Sequence, residues 1–275
     1  MGCDKIETML KKKEHTELKI RCLDKGYVRL VTWMPWAMGE AYQIISEGGS
    51  HDALVERLEQ NDLTVVNAAR VSFLKESYEL TDKDVRLIRF LAGRYETSPF
   101  RHAILSFEVK APLMVARQWF KYRVGSTHTD DAGFDDPMYA RNESSRRYVT
   151  SEPEFYIPSK WRSPPANRKQ GSGEEPVDCE DRWMDALVQY IEEGLRLYHS
   201  AIKVIAPEQA RLFLPAYSLY LTWRWTASLA AVAHFLNERL ADKAQAEIRE
   251  YAYAVWRLAQ FAYPISLAAL VEGGE

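Results

Sequence analysis

Cysteine is scarce. Three occur in 275 residues, Cys3, Cys22 and Cys179. They are odd in number, far apart and at no metal-ligand spacing, which argues against a disulfide framework and predicts no metal site. Long apolar runs are missing too, since no stretch of about 18 apolar residues occurs, the length a membrane-spanning helix needs. Positive charge is not in excess: 36 Lys and Arg face 39 Asp and Glu, for a formal net charge of -3. The chain therefore lacks a global electrostatic footprint for duplex nucleic acid. The opening MGCDKIETMLKKKEH is broken by charge and does not read as a secretory signal. Gly2 and Cys3 look like a lipidation start, but Ile6 stands where Ser or Thr is needed. No GxGxxG follows a strand, and GxxxxGK[ST], GxSxG and HExxH are all absent. These absences predict a cytoplasmic protein with no membrane partner, no nucleic-acid polymer and neither a Rossmann nor a P-loop site.

What is present suits a folded chain. Hydrophobic residues make up 47% and charged residues 27%, and eight Trp with fifteen Tyr supply a core or a stacking site. Residues 1–17 read as a flexible, charged lead-in. Leu18–Leu23 and Tyr27–Trp33 flank Asp24-Lys25-Gly26, a hairpin signal. A short helix is expected within 34–50, and further helices over His51–Leu58 and Asn61–Val71. Thr81 before Asp82 and Asp84 marks a helix start, with Val85, Ile88, Leu91 and Ala92 on its apolar face to about Tyr95. Ile104–Lys110 alternates as a strand, with Leu105, Phe107 and Val109 on one side. Pro112 then sits at a plausible first position of a helix over Leu113–Tyr122. Residues 126–142 are acidic and turn-rich, and 158–180 form a second loop. Cys179–Val204, Pro207–Leu214, Thr226–Arg239 and Lys243–Phe261 read as helices. The pattern predicts an α+β fold, one domain over 18–270 with a small, mostly antiparallel sheet flanked by helices.

Three clusters carry chemistry. Arg117-Gln118-Trp119-Phe120-Lys121-Tyr122-Arg123 interleaves cations with aromatic rings. That mixture suits an anionic, flat ligand, with cations for phosphate and rings for a base or flavin. An amphipathic helix whose Arg and Lys snorkel explains it equally well. Arg141-Asn142-Glu143-Ser144-Ser145-Arg146-Arg147-Tyr148 sets two hydroxyls among three guanidiniums, either a phosphate cradle or a solvated turn. His234-Phe235-Leu236-Asn237-Glu238-Arg239 ends an otherwise apolar helix on Arg239, a ligand contact or a surface ion pair. His128 with Asp130, Asp131, Asp135 and Asp136 fits no calcium-loop spacing and reads as an acidic surface loop.

These blocks in order resemble the flavin-dependent thymidylate synthases. RQWFKYRVGS, NESSRRY and FLNERLADKAQAEIR are similar to the family's RQWFRHRIAS-x-NE-x-S-x-RY signature and its C-terminal block. AARVSF at Ala68–Phe73, SPFRH at Ser98–His102, FEVKAP at Phe107–Pro112, EFYIP at Glu154–Pro158 and ARLFLP at Ala210–Pro215 match as well. Two departures stand out. Lys121-Tyr122-Arg123 replaces Arg-His-Arg, keeping charge and a flat ring but losing one guanidinium fork and one group titrating near neutrality. An insertion over 127–141 separates Ser126 from Asn142.

The resemblance implies reductive methylation of dUMP to dTMP. Methylenetetrahydrofolate would be the carbon donor, FAD the hydride carrier and NADPH the reductant, with no cysteine nucleophile. It implies nucleotide contacts at Gln118, Trp119, Phe120, Lys121, Glu143, Ser144, Ser145, Arg146, Arg147 and Arg211. Arg239 would be the activating catalytic residue and a further dUMP contact. Flavin contacts would come from Ser72, Ser98, Lys121, Tyr122, Arg123, Glu143, Ser228 and His234. The family is a homotetramer with active sites shared between subunits. A flavin enzyme leaving a hydroxymethyl group on dUMP, and a non-catalytic nucleotide-binding module, are the rival readings.

Overall fold

Strand alternation and helix caps place the elements of the computed structural model, which describes residues 18–34, 60–122, 136, 138–165, 171–173 and 175–271. The expected lead-in 1–17, the helices within 34–58, and most of the 127–141 insertion lie outside the described residues. The hairpin forms as β1 (Lys19–Cys22) and β2 (Gly26–Trp33), with Cys22 opposite Gly26. Leu23 takes a left-handed conformation at φ 53° in the turn. Gly26 is required by close approach: a Cβ there would lie 1.8 Å from the Tyr251 hydroxyl and 2.6 Å from the Lys110 carbonyl oxygen.

β3 (Ile104–Pro112) pairs with β2 on one side and with β5 (Tyr220–Ser228) on the other; β4 (Ala140–Glu143) pairs with the far side of β5. The order β1-β2-β3-β5-β4 is antiparallel throughout. Period-two burial sends Leu105, Phe107, Val109 and Ala111 to the inner face. The register sets Phe107 opposite Trp225 and Val109 opposite Trp223. The other face carries Glu108 and Arg224, which face each other in the same register.

Helices α1 (Leu63–Arg70), α2 (Asp82–Gly93), α3 (Leu113–Trp119), α6 (Leu229–Arg239), α7 (Ala246–Ala262) and α8 (Pro264–Leu270) pack into the core on the inner face, whereas α4 (Glu180–Ala201) and α5 (Pro207–Ala210) bury Ile191, Tyr198, Ala201 and Ala210 in a second cluster with Phe155 and Leu214. The α+β expectation holds. At α2, Thr81 is the cap: its amide donates to Asp84 Oδ2 at 3.0 Å and its hydroxyl donates to the same oxygen at 2.6 Å. α2 stops at Gly93 because Tyr95 turns left-handed (φ 58°) and the Glu96 amide reaches back to the Leu91 carbonyl at 3.0 Å.

Several boundaries differ from expectation. Pro112 is the last residue of β3 and the cap of α3, at ψ 151°, rather than its first helical residue. α3 ends at Trp119, and a tight turn with Tyr122 N–H on the Trp119 carbonyl (2.9 Å) follows. The helix expected over Thr226–Arg239 starts at Leu229; Thr226–Ser228 belong to β5, and the Ser228 hydroxyl accepts from the Ala231 amide at 3.3 Å. Pro207–Leu214 divides into α5 and a 3-10 turn over Arg211–Phe213.

Candidate functional site

Trp119 decides which way α3 faces. Its indole is buried, stacked on Phe235 at 4.5 Å between centroids and edge-on to Trp223 and Trp225. This aromatic cluster ties α3 to β5 and α6, burying a large apolar area with favourable ring geometry. With Trp119 turned inward, Arg117, Gln118 and Lys121 line a cavity of about 600 Å³ together with Phe120, Tyr139 and Arg141. Arg141 comes from the edge strand β4, and its guanidinium lies 3.6 Å from the centre of the Phe120 ring. One buried carboxylate anchors the approach to β4: Asp136 accepts from the Ser228 amide at 2.8 Å. The sequence suggested an acidic surface loop there, but Asp136 is buried because it satisfies a backbone N–H at the end of β5.

A second group gathers beside the first. Tyr122 packs against His234 with ring centroids 5.5 Å apart, and the Arg239 guanidinium stands 4.9 Å from the Tyr122 ring. Burial pushes the Tyr122 phenol up, against the pull of Arg239. Burial also pushes the His234 imidazole down, and Arg239 adds to that while Glu238 opposes it. Nδ1 of His234 and Nε of Arg239 are buried without a hydrogen-bond partner among the described residues. Such orphaned polar atoms are costly unless a ligand satisfies them.

The third group lies on the β4–α4 side. Ser144 is a continuation of the sheet edge: its hydroxyl accepts from the Thr222 amide at 3.0 Å. Ser145 Oγ accepts from both the amide and Nε of Arg147, each at 3.3 Å, which holds that guanidinium beside the hydroxyl. Arg146 lies 5.9 Å from the Tyr198 ring of α4. Arg211 is exposed, its Nε bonded to the Glu208 carbonyl at 3.1 Å.

The remaining expected positions divide as follows. Glu143 is exposed at the end of β4, Ser98 is exposed in the 3-10 turn Ser98–Arg101 that packs on α6, and Ser72 is exposed in the 3-10 turn after α1. Ser228 is fully buried with its hydroxyl spent on the α6 cap, and the Trp119 ring is in the core. Arg123 lies outside the described residues. Arg117, Arg141 and Tyr139 complete the cavity although the resemblance pointed to none of them. Their signal was the density of Arg and aromatic residues on either side of the insertion. Among the described residues, no cluster of three or more His, Cys, Asp or Glu could hold a metal ion, and no helix is long and apolar enough to cross a membrane.

The family model described as thymidylate synthase complementing protein matches residues 53–265. The chain belongs to this family. A flavin-dependent thymidylate synthase of Thermus thermophilus is 34% identical over 93% of this chain and 79% of its own length. One from Thermosipho africanus is 30% identical over 94% of this chain and all (100%) of its own. Among solved structures, a UMP/dUMP methylase, PolB, from Streptomyces cacaoi bound with 5-Br UMP superposes at a TM-score of 0.65. It is 23% identical and covers 91% of this chain and 95% of that one, which supports the fold. Within the flavin-dependent thymidylate synthase family, the three clusters described above fall inside the matched segment.

Proposed function

We propose that the chain methylates dUMP reductively to dTMP, with FAD as the flavin, NADPH as reductant and methylenetetrahydrofolate as carbon donor. The observation that carries this reading is the cation-rich, aromatic-walled cavity between α3 and β4 in a chain of this family. Arg117, Lys121 and Arg141 supply charge for a phosphate or carboxylate, and Phe120 supplies an apolar wall. Ser145 and Arg147 form a hydroxyl-guanidinium pair suited to phosphate oxygens.

The groups beside Tyr122 fit a flavin. The orphaned Nδ1 of His234 wants a polar partner, and Tyr122 offers a ring edge, while the orphaned Nε of Arg239 is left for the nucleotide. His234, Tyr122, Lys121 and Arg123, with Ser72, Ser98 and Glu143 from other elements, would hold the flavin; Ser228 would act through the α6 cap it makes. A bound flavin supplies hydride transfer that side chains cannot. The chain's own part is electrostatic and steric. Arg239 sits as a fixed positive charge that favours the anionic form of a uracil ring, and the aromatic walls exclude water.

Arg239, Arg147 and Arg211 stand on different elements, and among the described residues no hydrogen bond or ring contact joins them, so the reading requires a second copy to complete each site, as a homotetramer would. An exposed apolar patch of Val71, Phe73, Leu74 and Tyr78 beside Ser72, with Leu74 95% exposed, supports assembly through that face.

Product analysis tests the proposal. Purified protein with a flavin spectrum, given dUMP, methylenetetrahydrofolate and NADPH, is expected to release dTMP. Hydroxymethyl-dUMP as the end product would favour the hydroxymethylase. A protein that neither carries nor takes up FAD would favour a binding module.

A further inference from the structure

Among the described residues that line the cavity, Gln118 is the one amide side chain, and a chain of hydrogen bonds holds it. Its Nε2 donates to Gln245 Oε1 and lies 3.4 Å from the Met114 carbonyl oxygen. Gln245 in turn donates through Nε2 to Glu247 Oε2 at 2.8 Å. Glu247 is 4% exposed and clamped by Arg162, whose Nη2 lies 2.6 and 2.7 Å from its two oxygens. It also stands in the first turn of α7, where the helix end favours negative charge. Burial pushes this carboxyl up, but the bonds from Arg162 and Gln245 outweigh that and hold it below the usual carboxylate value.

A carboxylate only accepts hydrogen bonds. Glu247 therefore compels Gln245 to turn its NH2 inward and its carbonyl oxygen toward Gln118. Gln118 must then turn its own NH2 to Gln245. The Met114 carbonyl at the other side demands the same orientation. Both ends of the chain agree, so the group Gln118 has left for the cavity is its carbonyl oxygen, an acceptor. The far end of this relay, Arg162 with Glu247 and Gln245, lines a separate cavity of about 580 Å³.

We infer that Glu247 is a positioning residue that fixes Gln118 as a hydrogen-bond acceptor toward the nucleotide, so that the site selects a ligand presenting a donor there. This rests on the reading of the α3–β4 cavity as the nucleotide site. On dUMP two donors qualify: the ring N3–H, which a cytosine nucleotide lacks, and the sugar 3′-hydroxyl. Gln118 is half-buried, and an acceptor that a bound nucleotide covers without offering it a donor loses its water partner, a mismatch that discriminates between ligands.

The test is calorimetric dUMP binding to the flavin-loaded, full-length protein. Glu247→Gln, whose amide can either donate or accept, is expected to weaken dUMP several-fold, and Gln118→Met about tenfold, the scale of one hydrogen bond. The double variant is expected to bind no more weakly than Gln118→Met alone, because Glu247 acts through Gln118. Multiplying losses would overturn the inference. Gln245→Met cuts the relay while leaving the Arg162–Glu247 pair intact, and serves if Glu247→Gln fails to fold; it is expected to behave the same way. Two analogues identify the donor: 3-methyl-dUMP removes N3–H, and 2′,3′-dideoxyuridine monophosphate removes the hydroxyl. The one that lacks the donor meeting Gln118 is expected to bind the parent about tenfold more weakly than dUMP, and the Gln118→Met variant no more weakly. A Gln118→Met variant that still penalises both analogues as the parent does would overturn the inference. Parent protein that binds no dUMP would overturn the nucleotide-site reading itself, whereas normal parent binding with an unchanged Gln245→Met variant would overturn the relay alone.

Discussion

Two charged regions of this molecule are built on opposite plans. On the outer face of the sheet, Glu108 is surrounded by partners: Arg29 at 2.8 Å, Arg224 at 3.3 Å and the Tyr27 hydroxyl at 3.0 Å. Around α3, β4 and the end of α6, Arg117, Lys121, Arg141, Arg146, Arg147 and Arg239 meet no carboxylate within ion-pair distance among the described residues. Four of them rest instead on rings or hydroxyls, Arg141 on Phe120, Arg146 near Tyr198, Arg147 on Ser145 and Arg239 on Tyr122, while Arg117 and Lys121 are exposed at the cavity wall. Guanidiniums solvated by aromatic faces keep their charge available for an anion. The difference teaches that charge serves stability at the first region and waits for a ligand at the second. Substitutions can separate the two roles.

The largest expected effect is at Arg239. Arg239→Ala should lower kcat by about two to three orders of magnitude, the scale of losing one electrostatic stabiliser. Flavin content, read from the visible spectrum, should change little. A variant with near-parental turnover would move Arg239 out of the catalytic role and into structure. Next is the hydroxyl-guanidinium pair. Replacing Ser145 and Arg147 together by Ala should weaken dUMP binding, each charge-assisted bond being worth about 1.5–3 kcal/mol. The melting temperature should hardly move, since Arg147 is exposed. A stability loss with unchanged dUMP affinity would place Arg147 on the structural side of the comparison.

Glu108 provides the converse. Glu108→Gln should cost about 1–2 kcal/mol of stability, because Arg29 and Arg224 lose their shared counterion in a half-buried setting. Chemical denaturation would read that loss, while the dUMP dissociation constant stays at the parental value. A change in nucleotide affinity would erase the distinction between the two regions.

The sequence made one of these regions more visible than the other. The β3 alternation exposes Glu108 on the polar side, and the cation-aromatic run at Arg117–Arg123 marks the ligand side by composition alone. The β1–β2 hairpin and the Thr81 cap were readable because local residues determine them. β5 escaped notice although Trp223, Trp225 and Ala227 alternate with Thr222, Arg224 and Thr226. The helix-forming LAAVAHF that follows drew the boundary back into the strand. β4 could not be read at all, since all four residues are exposed and nothing in them alternates between apolar and polar. The relay to Gln118 was beyond local reasoning for a different reason. Gln245 is 127 residues from Gln118, and Arg162 is 85 from Glu247, so only tertiary packing brings them together. Gln245 and Glu247 stood inside the matched block FLNERLADKAQAEIR without any feature to distinguish them from a solvated helix start.

Acid gives the smallest expected effect and a further way to sharpen the contrast. Glu108 and Glu247 both sit below the usual carboxylate value, since burial raises each but arginine bonds lower it more. A group depressed on folding binds fewer protons in the folded state, so its contribution is complete above the ordinary value of 4.5 and is lost as pH falls through the folded value. His234 is depressed as well, by burial, so the folded state resists its protonation and stability declines once pH drops below the ordinary 6.5. Melting temperature against pH should therefore fall in two stages, a shallow one below 6.5 and a steeper one below 4.5. His234→Gln should flatten the first stage and Glu108→Gln should reduce the second. Since His234 belongs to the ligand side, a bound flavin whose oxygen or nitrogen accepts from Nδ1–H would favour the imidazolium and should diminish the first stage in the parent while leaving the carboxylate stage untouched. A flavin-loaded protein whose two stages both shifted together would mean that the paired and unpaired regions are coupled rather than separate.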